Sequence, residues 1–234
     1  MHMFLVGDSF DALAHVHPAP RTSKALDFDR PLPPLPAGHY RLYADIVHES
    51  GYAQTLVSAV DIPADRERQV EREGFSRASA AGDPDDSSFT GRAQPESAMP
   101  AFDLGDGTRI VWKRGDAPLA AGTERVLDFS LQDAAGAVVE VEPYMGMAAH
   151  IVVANRDGSV FAHLHPSGSI SMAALQKFTA ETPAGADPHA GHAMPLLGAV
   201  SVPYAFPKAG SYRLWVQMKR GGEVRTAAFE LTVQ

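Results

Sequence analysis

Apolar and polar residues alternate in short runs along most of the chain. Tyr40 to Val47, Leu56 to Ile62, Ile151 to Ala154, Val160 to Leu164, Tyr212 to Met218 and Ala227 to Val233 are such runs, bounded by Gly, Pro or Asp-Gly. Arg109 to Lys113, Arg125 to Gln132 and Ala137 to Val141 are strand-like in the same way. Only Met172 to Thr179 has room for a helix, of two turns at most. Many short strands with this punctuation predict an all-β chain folded as antiparallel sandwiches or barrels.

The pattern repeats. His2, His15, His17 and Pro18 fit H-x12-H-x-H-P, and His150, His163, His165 and Pro166 fit it again without a gap. Each copy leads to an A-G-x-Y-R-L segment, Ala37 to Leu42 in the first and Ala209 to Leu214 in the second. Two matched blocks in the same order indicate a duplication. Residues 103–234 read as a complete second β-sandwich repeat, residues 1–62 as a partial first repeat, and residues 63–102 as a flexible linker rich in charge, Ser, Ala, Gly, Asp and Pro. Strand-like segments precede His150, whereas only Met1 precedes His2. The first repeat is therefore expected to lack its N-terminal strands and to expose an apolar edge through which a homodimer could form. On the same reading Met1 is not expected to be the natural start of the domain, and a signal peptide or anchor could lie upstream.

Composition narrows the chemistry. The 234 residues are 45% hydrophobic, contain no Cys, and carry a net charge of −8. Without cysteine there are no disulfides, thiolate zinc sites, iron–sulfur clusters or blue copper. The acidic balance argues against nucleic acid, which calls for clustered Lys and Arg. What remains is His, Met and carboxylate, and six of the ten histidines fall in the two triads.

Strand geometry brings each triad together. His163 and His165 share a face because side chains alternate along a strand. An Asp157-Gly158 type I′ turn would pair His150 with His165 and place His163 opposite Val152, so three imidazoles converge as ligands for Cu(II), Zn(II) or Ni(II). In the first copy Ser9-Phe10 occupies the turn, so a different register is expected for His2, His15 and His17. Aligning the Y-R-L strands sets Asp45, a possible fourth ligand or a solvated strand residue, against Gln217, a poor ligand. Met145 and Met147 precede His150 and offer thioethers suited to Cu(I), or else core packing. His189, His192 and Met194 lie in a Gly/Ala/Pro-rich loop suited to metal capture, or to no more than a surface loop. Tyr40 and Tyr212 are expected to pack as corner residues, and His39 and His48 are given no role.

The H-x12-H-x-H-P hairpin, the Pro143-to-His150 lead-in and the A-G-x-Y-R-L strand resemble bacterial extracytoplasmic sandwich proteins of the YtkA-like or copper-resistance type. The A-G-x-Y-R-L turn itself is similar to strand entries of immunoglobulin-like and cupredoxin-like sandwiches. The resemblance implies a periplasmic or cell-surface location, a link to copper, and metal contacts at His150, His163 and His165, then His2, His15 and His17. The expectation is a non-enzymatic copper-binding protein, with zinc as the other candidate ion and another extracytoplasmic metal-handling protein as a partner. Three classes compete with it: a structural or interaction sandwich module with incidental histidines, a zinc enzyme with three His ligands, and a cupin-like enzyme. The last lacks the expected Glu after H-x-H, since Pro166-Ser-Gly-Ser-Ile-Ser follows.

Overall fold

The computed structural model describes residues 1–20, 27–48, 50, 52–64, 83–96, 100–166 and 196–234. Among these, every regular element is a β-strand and every strand pair is antiparallel. The chain is all-β, in several sheets, and divides into two compact units, Met1–Gly91 and Arg92–Gln234. The short helix considered at 172–179 lies outside the described residues.

The first unit holds β1 (His2–Gly7), β2 (Ala12–Val16), β3 (Ala19–Pro20), β4 (Phe28–Asp29), β5 (Gly38–Val47), β6 (Ala53–Ile62) and β7 (Ser87–Thr90). Five of these form one sheet in the order β6-β5-β1-β2-β7, while β3 pairs with β4. One face of the sheet packs Leu5, Ala14, Val16 and Tyr40 against Leu32 and Leu35. The strand β7 corrects the expected linker at 63–102. Ser-Ser-Phe-Thr has little apolar content, yet its backbone pairs with β2, from Ala12 opposite Thr90 to His15 opposite Ser87. Edge pairing of this kind rests on main-chain hydrogen bonds that composition does not report.

The second unit contains β8 (Ala101–Asp103), β9 (Arg109–Trp112), β10 (Glu124–Gln132), β11 (Glu140–Val141), β12 (His150–Asn155), β13 (Phe161–Leu164), β14 (Leu196–Leu197), β15 (Ala199–Ala205), β16 (Gly210–Arg220) and β17 (Glu223–Val233). Two four-stranded sheets, β15-β10-β9-β8 and β13-β12-β16-β17, contribute to one core. Alternation explains which side chains enter it. Ile151 and Val153 of β12, with Tyr212, Leu214, Val216 and Met218 of β16, point inward to meet Ile110, Leu127, Phe129 and Leu131. His150, Val152, Trp215 and Gln217 therefore face the other way. β15 was not anticipated because Pro203 interrupts it; the strand lies at a sheet edge, where a residue lacking an N–H is tolerated.

Both A-G-x-Y-R-L segments build the same corner. The Tyr40 hydroxyl donates to the Pro36 carbonyl at 2.8 Å, and that of Tyr212 to the Lys208 carbonyl at 2.7 Å, each four residues back with the ring buried. In each, the ring hydroxyl ties back to the backbone a few residues upstream, the hydrogen bond of a tyrosine corner. The repeats differ at the strand that follows. Phe229 of β17 is buried in the core, whereas Ser58, at the matching place in β6, is exposed, as are Leu56 and Val57 beside it.

Gly198 is required by a close backbone approach. It accepts from the Leu131 N–H at 2.7 Å and donates to the Val139 carbonyl at 3.0 Å. A Cβ there would lie 2.4 Å from the Val139 oxygen and 3.2 Å from the Leu131 Cβ. Gly198→Ala is expected to destabilise the second unit by about 1–3 kcal/mol, the usual cost of overpacking, as read from urea denaturation. An unchanged midpoint would show that β10 and β11 separate freely.

Candidate metal centres

The hairpin of β12 and β13 has the register that the spacing suggests. Ile151 lies opposite Leu164 and Val152 opposite His163, which brings His165, just past β13, level with His150. The turn itself is different. Gly158 donates to the Asn155 carbonyl at 3.0 Å and Gly158 alone of the loop residues has positive φ, so Asn155 and Val160 close a four-residue loop in place of a type I′ pair.

The first copy corrects a second expectation. Met3 lies opposite Val16 and Phe4 opposite His15, which is the register of the second hairpin moved to β1 and β2. Phe10 stands where Gly158 stands and adopts φ 62°, with its N–H bound to the Gly7 carbonyl at 2.8 Å. A left-handed phenylalanine costs about 1–2 kcal/mol. Its ring is 1% exposed, and burying a side chain of that size contributes about 1.5–3 kcal/mol, enough to hold the strained turn.

The ring spacings of the two triads are similar. The His2, His15 and His17 rings lie with centroids 5.2, 5.1 and 4.7 Å apart; those of His150, His163 and His165 lie 5.1, 5.0 and 4.5 Å apart. The closest contact uses the same atoms in both, His2 Nδ1 to His15 Nε2 at 3.0 Å and His150 Nδ1 to His163 Nε2 at 2.8 Å. Nitrogens sharing a tetrahedral ion at 2.0–2.1 Å would sit about 3.3 Å apart, so admitting one needs a shift of only a few tenths of an ångström. In the second triad one ligand nitrogen from each ring lies within 4.8 Å of the others, whereas His2, His15 and His17 do not form such a group and His17 comes that close to Asp83 and Asp86. His2, His15, His17 and His150 are buried, and His163 and His165 are half-buried.

Neighbouring groups fix the ring orientations. His150 Nε2 lies 3.1 Å from the Tyr144 carbonyl, which can only accept, so Nε2 carries the proton and Nδ1 turns its lone pair to the triad. The carbonyl is delivered by a tight turn in which Tyr144 and Met147 exchange both backbone hydrogen bonds, and Met145 and Gly146 take φ 49° and 79°. Met147 is buried and Met145 half-buried at the tip of this turn. In the first triad His17 Nδ1 faces Asp86 Oδ1 at 3.1 Å, the His17 backbone N–H donates to the same oxygen at 2.9 Å, and the Arg30 guanidinium binds Oδ2. Burial pushes the Asp86 carboxyl up, but the His17 and Arg30 hydrogen bonds outweigh it and hold the group below the usual carboxylate range. Asp86 escaped sequence reasoning because it lies in a span read as linker; its Asp-Ser-Ser surroundings carry no ligand signal.

Asp45 lies opposite His2 and Gln217 opposite His150, as the Y-R-L alignment implies. Each is engaged with a threonine on the next strand. Thr55 Oγ1 donates to Asp45 Oδ1 at 3.2 Å, and Gln217 Nε2 donates to Thr226 Oγ1 at 3.3 Å. His189, His192 and Met194 lie outside the described residues. His39 and His48 are exposed and pair with Asp61 and Gln54 across β5 and β6.

Residues 103–234 match the model of a family described as Domain of unknown function (DUF8832). The chain belongs to this family. The DUF8832 span begins at Asp103 and takes in β9 to β17, with His150, His163 and His165. No curated protein and no solved structure matches the chain.

Proposed function

We propose that this DUF8832 protein is a non-enzymatic metal-binding protein, holding one ion per histidine triad on tandem immunoglobulin- or cupredoxin-like sandwich repeats, of which the first carries a single five-stranded sheet. The observation that carries the reading is the recurrence of one three-imidazole arrangement, with the same Nδ1-to-Nε2 contact, on two separate hairpins. Incidental histidines on a structural module would have to have kept the same ring spacing in both copies of the duplication. Three imidazoles suit Cu(II) and Zn(II) alike. The thioethers of Met145 and Met147, close to His150 in sequence, and the resemblance to copper-resistance-type proteins favour copper in an extracytoplasmic compartment. Asp86, a carboxylate that touches a triad, has both oxygens engaged by His17 and Arg30, which speaks against a free general base there.

Calorimetric titration of the whole chain with Cu(II) and with Zn(II) tests the proposal. Two tight ions per chain are expected, with any further weak uptake assigned to the His189, His192 and Met194 loop. Absence of binding by both metals overturns the reading.

A further inference from the structure

We infer that strand β6, the free edge of the first sheet, is a self-association surface through which two copies of this chain pair antiparallel as a homodimer. The inference stands apart from the metal-binding reading, because it uses neither triad.

In the sheet β6-β5-β1-β2-β7 the outer strands are β6 and β7. The strand β1, expected to leave an edge open, lies between β5 and β2. β7 has only four residues to pair with, whereas β6 runs for ten, Ala53–Ile62. The hydrogen bond from the His48 N–H to the Tyr52 carbonyl at 2.9 Å sets the phase of the β5–β6 ladder. Bonded pairs alternate along an antiparallel ladder, so the even-numbered residues of β6 bond to β5. Ala53, Thr55, Val57, Ala59 and Asp61 then turn their N–H and C=O groups outward. Among the described residues no strand or loop bonds to those outward groups.

The second repeat shows how the same edge is closed. In the alignment that matches Ser58 with Phe229, Val57, Ala59 and Asp61 match Ala228, Glu230 and Thr232 of β17. There the outward groups are covered. The Gln94 N–H donates to the Ala228 carbonyl at 2.7 Å, and the Gln94 carbonyl accepts from the Glu230 N–H at 2.9 Å. The Thr232 N–H donates to the Glu96 carboxylate at 2.8 Å. An uncovered edge is a template for another strand, and β6 lacks the usual protections. It has no Pro and no Lys, and its one charge, Asp61, stands near the end. Leu56 and Val57, at its centre, are 46% and 67% exposed and lie on opposite faces, so pairing along the edge covers apolar surface on both sides of the sheet.

The chemistry selects a second copy as the occupant. A neutral strand offers no charge pattern to a partner of opposite charge, and this one is complementary to itself. With a twofold axis at Val57, Ala53 of each copy faces Asp61 of the other, Thr55 faces Ala59, and the two Val57 side chains meet, so all five outward residues find an outward mate. The two Asp61 carboxylates then lie eight residues apart along the ladder, about 27 Å, well beyond the roughly 8 Å screening length at physiological ionic strength.

Light scattering and sedimentation velocity of the full chain are expected to give twice the chain mass. A chelator is present throughout, so that no ion bridges the exposed His39 and His48. Val57→Lys sets two ammonium groups across the axis and should weaken dimerisation by more than about tenfold. Val126→Lys, at an exposed position of β10 in the second unit, should leave it unchanged. The chain has no cysteine, so Val57→Cys reports the contact directly. Facing residues of a bonded pair have Cα atoms about 5.5 Å apart, within reach of a disulfide. Mild oxidation should therefore link two Val57→Cys chains and should not link two Val126→Cys chains. The crosslink decides the matter where Val57→Lys fails to fold. A monomer at every concentration, a dimer lost on chelation, a dimer indifferent to Val57→Lys, or one that gives no Val57→Cys crosslink overturns the inference, and each leaves metal binding by the triads untouched.

Discussion

Replacing His163 and His165 together by alanine is expected to lower metal stoichiometry from two ions per chain to one while the protein stays folded. The two changes leave His150 as the sole imidazole of that triad, and Gln217, opposite it, is bound to Thr226 and is a poor ligand. One imidazole does not hold an ion where three did, so affinity at the second site should fall by more than the roughly 10–100-fold of an outer-shell loss. Folding should survive because the triad lies on the face of β12 and β13 that points away from the core. Ala162 and Leu164, which pack inward, are untouched. Most single substitutions destabilise by about 0.5–3 kcal/mol, and two half-buried side chains outside the core belong at the low end of that range. The measurement pairs calorimetric stoichiometry with thermal unfolding of the metal-free variant. Retention of two tight ions would remove the second triad from the proposal, and collapse of the apo fold would show that these histidines serve packing instead.

The site was legible in sequence to an unusual degree because a hairpin converts spacing into contact. Given a closed turn between His150 and His163, alternation alone puts three imidazoles on one face, and the register follows from counting. What spacing could not supply was the turn geometry. Asp157-Gly158 reads as a two-residue turn, yet Asn155 extends the loop by using its own side chain, with Oδ1 accepting from the Val160 N–H at 3.0 Å. In the first copy, Ser9-Phe10 reads as a poor turn because local propensity disfavours a left-handed phenylalanine. Burial of the Phe10 ring, a tertiary effect, reverses that preference. The outer shell was illegible for a related reason. Asp86 reaches His17 only because β7 adds to the edge of the first sheet, and a four-residue polar strand leaves no hydrophobic signature. The fold class was readable from alternation in the long strands. The short or Pro-bearing edge strands were not, because β8 has only three residues and Pro203 interrupts β15, even though Val200 and Val202 enter the core.

Phe229→Ala is expected to destabilise the second unit by about 3–5 kcal/mol, without changing how many ions the native protein binds. Phe229 sits on β17 in one sheet, and its ring lies 5.8 Å from Trp112, 6.1 Å from Phe129 and 6.4 Å from Phe102, all on the other sheet. Trp112 and Phe129 are themselves stacked at 5.7 Å across β9 and β10. Truncation would remove the ring that joins the two sheets and leave a cavity among rigid neighbours that cannot collapse into it. Against a typical total of about 5–15 kcal/mol, that is a large share of the unit's stability. Phe229→Leu, which keeps most of the volume, should cost visibly less. Chemical denaturation followed by tryptophan fluorescence reads the effect, since Trp112 is in direct aromatic contact with the deleted ring. The matching change in the first repeat, Ser58→Ala, should move stability by no more than about 0.5 kcal/mol, because Ser58 is exposed. A loss below about 1 kcal/mol at Phe229 would mean that the sheets are not held together there. A changed ion count would mean that the core face and the metal face are coupled, contrary to the alternation that separates them along β12 and β16.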